Sequence, residues 1–117
     1  MPHDPHAAVF DMIQAVETAQ RLSSGLSEAE FVSNETVEWA IFSQIVILGE
    51  AAGRVDRIFQ NAHPDVPWAS IIGMRHRLVH GYDSVDWGRV WKTLRNDLPP
   101  LLQQLKALMP GEGGEMK

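Results

Sequence analysis

The sequence predicts an all-α fold, an up-and-down bundle of four to five helices with short connections. Three observations lead there. Apolar residues recur every three to four positions nearly throughout, no segment alternates with a period of two for long, and no Asn-Gly hairpin signal occurs. With 117 residues, 44% of them hydrophobic, the chain can fill one core but not two. The apolar surplus on the third and last helices goes first to that core and leaves material for an interface between copies.

Each element has its own signals. Val9, Met12, Ile13 and Val16 mark the first helix, with Asp4 as its cap and Pro5 in the first turn, where a missing N–H costs nothing. The histidines before it, His3 and His6, are expected on a loose, exposed end. Ser27-Glu28-Ala29-Glu30 reads as a capping box opening a short second helix around Phe31. Asn34 caps a long third helix with the apolar set Val37, Ile41, Ile45, Leu48, Ala52, Val55 and Phe59, a stripe broad enough for burial on more than one side. His63-Pro64 and Val66-Pro67 end it in a turn. A fourth helix runs from about Trp68 to His80, with Pro67 in its first turn and Gly81 as its stop. The last helix carries Trp87, Val90, Trp91, Leu94, Leu98, Leu101, Leu105 and Leu108, and Pro99-Pro100 should kink it. The stretch Pro110-Gly111-Glu112-Gly113-Gly114 cannot hold regular structure and is expected to fray.

Composition narrows the function. The formal charge of -5 weighs against sequence-blind nucleic-acid binding, which depends on cations against phosphates. Arg54, Arg57, Arg75, Arg77, Arg89 and Arg95 nevertheless fall within one stretch, so a local positive cleft is open to an acidic chain. There is no cysteine, hence no thiolate chemistry and no disulfide. That suits a reducing cytosol. With no signal-peptide pattern at Met1-Pro2-His3, and with Glu50 and Arg54 interrupting the central apolar run, a soluble cytoplasmic protein is expected, with no membrane partner. Neither a phosphate-binding Gly-rich loop nor a G-x-S-x-G elbow occurs, and Ser70 and Ser84 have no nucleophile context.

The chemistry concentrates in Arg75-His76-Arg77-Leu78-Val79-His80-Gly81-Tyr82. Histidine moves protons near neutrality, and a guanidinium forks onto phosphate oxygens while keeping its charge. Together Arg75 and His80 suit metal-free RNA cleavage. A ribose 2′-OH attacks the adjacent phosphorus, His80 moves the proton, Arg75 steadies the phosphorane, and a 2′,3′-cyclic phosphate is left. Helix geometry opposes a joint site within one chain, since residues five apart point about 140° from each other. A long reach, unwinding near Gly81 or a second subunit would answer this. Each residue also has a purely structural reading. Arg75 can pair with Glu50 or another acid, His80 can sit as a cation at a helix C-terminus, and Tyr82 can bury its ring. His76 and His80 have the H-x3-H spacing of metal ligands, but no third ligand is evident and Arg77 stands where zinc proteases carry glutamate. No metal or other cofactor is expected.

Arg75-x4-His80-x-Tyr82, preceded by Pro67-Trp68-Ala69-Ser70-Ile71-Ile72-Gly73-Met74, resembles the HepT-like family of HEPN-domain ribonucleases. Leu48-Gly49-Glu50-Ala51-Ala52 resembles that family's long-helix segment, and Asp86, Val90-Trp91 and Asn96-Asp97-Leu98-Pro99 its final helix. The resemblance implies a helical domain over 1–109 and a flexible tail over 110–117. It implies a homodimer with two R-x4-H motifs around a cleft, and RNA as substrate. It further implies the toxin of a type VII-like toxin–antitoxin pair, whose MntA-like minimal nucleotidyltransferase antitoxin attaches AMP to the motif tyrosine. Carried to this chain, Arg75 and His80 are the catalytic candidates and Tyr82 the modified residue. The family often has asparagine after the arginine. His76 stands there instead, which makes it a secondary candidate. Two other readings stay open: a catalytically silent module that partners a nucleotidyltransferase, and a purely structural helical dimer.

Overall fold

Asp4 opens the first helix. Its carboxylate accepts the His6 backbone N–H at 2.9 Å with Pro5 in the first turn, so α1 spans Pro5–Leu22 in the computed structural model, which describes residues 4–111. His6 therefore belongs to a capped first turn, half-buried with its ring edge-on to Phe59 at 5.7 Å. It does not sit on a loose end; His3 lies outside the described residues, as do 112–117 of the tail expected to fray. The capping box forms as expected. Ser27 accepts from the Glu30 N–H, and Glu30 accepts from the Ser27 N–H, starting the one-turn α2, Glu28–Val32. Asn34 caps α3, Glu35–Gly53, through the Val37 N–H at 3.1 Å.

The third helix is shorter than its apolar stripe implied. It stops at Gly53, and Asp56, in extended backbone, accepts the Phe59 N–H at 2.8 Å to begin a separate α4, Arg57–Ala62. Glycine lowers helix propensity at the break and an aspartate cap restarts the chain three residues on. Then α5 spans Trp68–His80, with Gly81 as its C-cap. A 3₁₀ turn, Tyr82–Ser84, leads to α6, Trp87–Lys92, capped by Asp86. Where a kink is expected at Pro99-Pro100, the chain holds a π turn, Thr93–Asp97, directly before α7, Leu98–Leu108, with the prolines in the first turn of α7. Pro99 and Pro100 supply no N–H and crowd the preceding carbonyls, and the wider turn makes room for their rings.

Four long rods result: α1, α3, α5 and the bent α6–α7. The third helix packs against α1 on one side and α5 on the other, and α7 returns onto α1. The core joins Val9, Met12 and Val16 of α1 to Ile41, Ile45 and Leu48 of α3 and to Leu98, Leu101 and Leu105 of α7. Each such side chain stabilises the fold by about 1.5–3 kcal/mol relative to exposure. No strand occurs among the described residues, and none of their helices is long and apolar enough to cross a membrane.

Candidate functional site

Gly49 decides where Arg75 sits. A Cβ built on Gly49 would lie 2.3 Å from the Arg75 Cβ and about as close to the rest of its stem as 3.0 Å and 3.1 Å. Only a glycine lets α5 come down on α3 at this point. The Arg75 stem is thereby clamped, and its Nη2 donates to Glu50 Oε2 at 2.5 Å. Its Nε is buried with no hydrogen-bond partner among the described residues. The pairing with Glu50, one of the structural readings open from sequence, is thus the one formed. With the two side chains 26% and 51% exposed, it contributes little to stability. Its effect is to fix the direction of the guanidinium.

His76 and His80 lie one turn apart on the exposed face of the same helix, their rings parallel and 5.9 Å between centroids. The helix stays regular through His80, so no unwinding turns His80 toward Arg75, and no hydrogen bond joins the two. Gly81 ends the helix with its N–H donating to the Arg77 carbonyl at 2.9 Å. Its φ of -114° is open to any residue; close approach is what selects glycine, since an added Cβ would meet that carbonyl oxygen at 3.0 Å. Tyr82 does not bury its ring. It stands 62% exposed on the 3₁₀ turn, one residue past the helix cap. Arg75, His80 and Tyr82 therefore sit at one end of α5, with the imidazole and phenol facing solvent and the guanidinium turned to α3.

The arginine-rich stretch does not gather into one cleft. Arg54 pairs with Asp11 at 2.7 Å. Arg95 lies over the Trp91 ring at 4.3 Å and donates to the Leu26 carbonyl at 2.9 Å. Among the described residues Arg57, Arg77 and Arg89 have no acidic partner within ion-pair distance. Two of these, Arg77 and Arg89, line a hollow of about 690 Å³ between α5, the 3₁₀ turn, α6 and α7. No periodicity argument points to it, because its walls are made by the splay between rods. Glu38 was also missed: it is 7% exposed on the core side of α3, one turn before Ile41. Its Oε2 has no hydrogen-bond partner among the described residues, and burial, with Glu35 adding to it, raises its pKa above the ordinary carboxylate value. His76 and His80 have no third metal-ligand type grouped with them among the described residues.

The third long rod, α5, ends in R-x4-H, with the motif tyrosine on the turn that follows. The profile of the ribonuclease HepT-like family matches residues 12–108. The chain belongs to that family. It is similar to the "Probable ribonuclease HepT" of Thermococcus cleftensis, with 29% identity over 84% of this chain and 89% of that one. It is similar, too, to the "Putative RNase TTE0752" of Caldanaerobacter subterraneus, with 30% identity over 92% and 96%. The "Putative RNase MJ1380" of Methanocaldococcus jannaschii shares 25% identity over 88% and 94%. No solved structure is significantly similar.

Proposed function

We propose that this chain is an RNA endonuclease acting without a metal or cofactor, the toxin of a type VII-like toxin–antitoxin pair. The observation that carries the reading is the exposed His80 and Tyr82 at the end of α5, one turn from an arginine whose direction is set by Glu50, in a chain of the HepT-like family. RNA is the substrate its relatives' names point to. His80 takes the proton of a ribose 2′-OH as that oxygen bonds to the adjacent phosphorus. The P–O5′ bond breaks, the proton passes to the leaving 5′-oxygen, and a 2′,3′-cyclic phosphate remains. Arg75 faces the negative charge that builds on the phosphorane, and His76 stands as an auxiliary proton or phosphate contact.

Because Arg75 and His80 diverge on a regular helix, the reading joins them through a homodimer, in which a second α5 brings its own pair to the same cleft. The exposed Trp39 and Ile47 on α3, 39% and 45% accessible, supply apolar surface for such a contact. An MntA-like nucleotidyltransferase is the partner that silences the toxin: AMP on the hydroxyl of Tyr82 sets bulk and negative charge beside His80 and repels the RNA backbone. The domain of 1–109 carries all of this, with 110–117 as a tail. Expression of the chain without its partner should arrest growth and degrade RNA, while His80→Ala should do neither; equal toxicity of the two defeats the assignment.

The Arg75–Glu50 pair favours one competing reading, a catalytically silent module that partners the nucleotidyltransferase, because Glu50 withdraws part of the guanidinium from any phosphate. Glu50→Gln separates them. It frees Arg75 and leaves a silent module silent, whereas in a nuclease it loosens the guanidinium and lowers the cleavage rate.

A further inference from the structure

The fifth helix leans on α3, and a hollow of about 690 Å³ separates it from the bent α6–α7 rod. That volume lies within the range of small-molecule and nucleotide-sized sites, roughly 300–1,000 Å³. Its floor is apolar, with Ile71, Met74 and Leu98 among its lining. The turn after α5 contributes Gly81, Ser84 and Val85 to its lining. Arg77 and Arg89 are both there, together with Gly81, the neighbour of His80. Among the described residues neither guanidinium has an acidic partner within ion-pair distance. The hollow also holds two carboxylates. Asp86 is engaged at the N-cap of α6, accepting the Arg89 backbone N–H at 3.1 Å, and Asp97 directly precedes α7. The hollow is thus lined by apolar side chains within, with two guanidiniums, Arg77 and Arg89, on its walls beside the N-capping Asp86.

We infer that this hollow is a subsite for a nucleotide of the RNA strand flanking the cut. A base enters the apolar interior, and its phosphate lies across Arg77 and Arg89, which hold the strand as it passes toward His80. Base faces accept apolar and π contacts whatever their sequence, and a phosphate matches paired guanidiniums by charge and by fork geometry. The inference rests on RNA being the substrate, and it assigns binding, not chemistry, to these residues.

The test is the affinity of a fluorescent RNA oligonucleotide carrying 2′-O-methyl groups throughout, which cannot be cut, measured by anisotropy at fixed salt. The double variant Arg77→Ala/Arg89→Ala should bind at least tenfold more weakly than the parent and show a shallower dependence of affinity on salt. Ser84→Trp, which plugs the hollow from the exposed turn without altering charge, should weaken binding as well. Arg21→Ala/Arg57→Ala removes the same charge elsewhere and should leave affinity close to the parent's. Equal weakening by the two double variants, unchanged affinity in the first, or no RNA binding by the parent overturns the subsite, as does a first double variant that loses only a protein partner. A parent that binds through Arg77 and Arg89 but cuts no RNA supports the subsite and overturns the cleavage reading instead.

Discussion

At Gly49 a single missing carbon sets the position of the candidate catalytic arginine. Gly49→Ala places a methyl 2.3 Å from the Arg75 Cβ, an atom too near its backbone to swing aside, so α5 must lift from α3. Overpacking of this kind costs about 1–3 kcal/mol. Urea unfolding should show a loss in that range, and RNA cleavage should fall further than the same destabilisation causes elsewhere, because Arg75 moves with the helix. Glu38 makes a second prediction. Its carboxyl has a raised pKa in the folded chain, so the folded state holds that proton more tightly than the unfolded one. The resulting stability is present below the ordinary carboxylate pKa and is lost as pH rises through the raised value. Glu38→Gln should therefore melt higher than the parent at pH 8 and nearly level with it at pH 4; a gain of the same size at both pH values contradicts this account. The motif residues were legible in the sequence because their chemistry is local. Glu38 was not, since a glutamate on an amphipathic helix reads as solvated until the neighbours that cover it are known.

Caps made most of the elements readable. Asp4, Ser27 and Asn34 begin α1, α2 and α3 as their side chains imply, because an N-cap is a contact over two or three residues that sequence specifies directly. The break between α3 and α4 escaped, as Val55 and Phe59 keep the apolar spacing across it, the first buried and the second half-buried. Periodicity reports which face is covered and is blind to an interruption that preserves the face. The signals that make the break, Gly53 and Asp56, are individually weak. Asp56→Ala should cost about 1 kcal/mol through loss of the bond to the Phe59 N–H, read as a lower midpoint in urea. The π turn at Thr93–Asp97 shows the same limit from the other side. Two prolines signal an interruption of the regular helix, but its form, a π turn, depends on how the turn before them relaxes.

For the molecule as a whole, the all-α class and the position of the R-x4-H residues at the end of α5 were readable from spacing. The hollow was not, because it arises where α5 and α6–α7 part, and no stretch of sequence encodes a gap between rods. The divergence of Arg75 and His80, anticipated from helix geometry, persists in the folded chain. The cleavage reading therefore requires two copies: the purified protein should scatter light as a dimer. Trp39→Glu together with Ile47→Glu should give a monomer without RNA cleavage, and a monomeric parent that still cuts RNA contradicts the shared cleft. The central claim is tested most directly by incubating the purified protein with a defined RNA in EDTA and identifying the new ends by mass. The account predicts fragments ending in 2′,3′-cyclic phosphate and 5′-hydroxyl from the parent, and none from His80→Ala. Intact RNA with the parent, or the same fragments from both proteins, would contradict it.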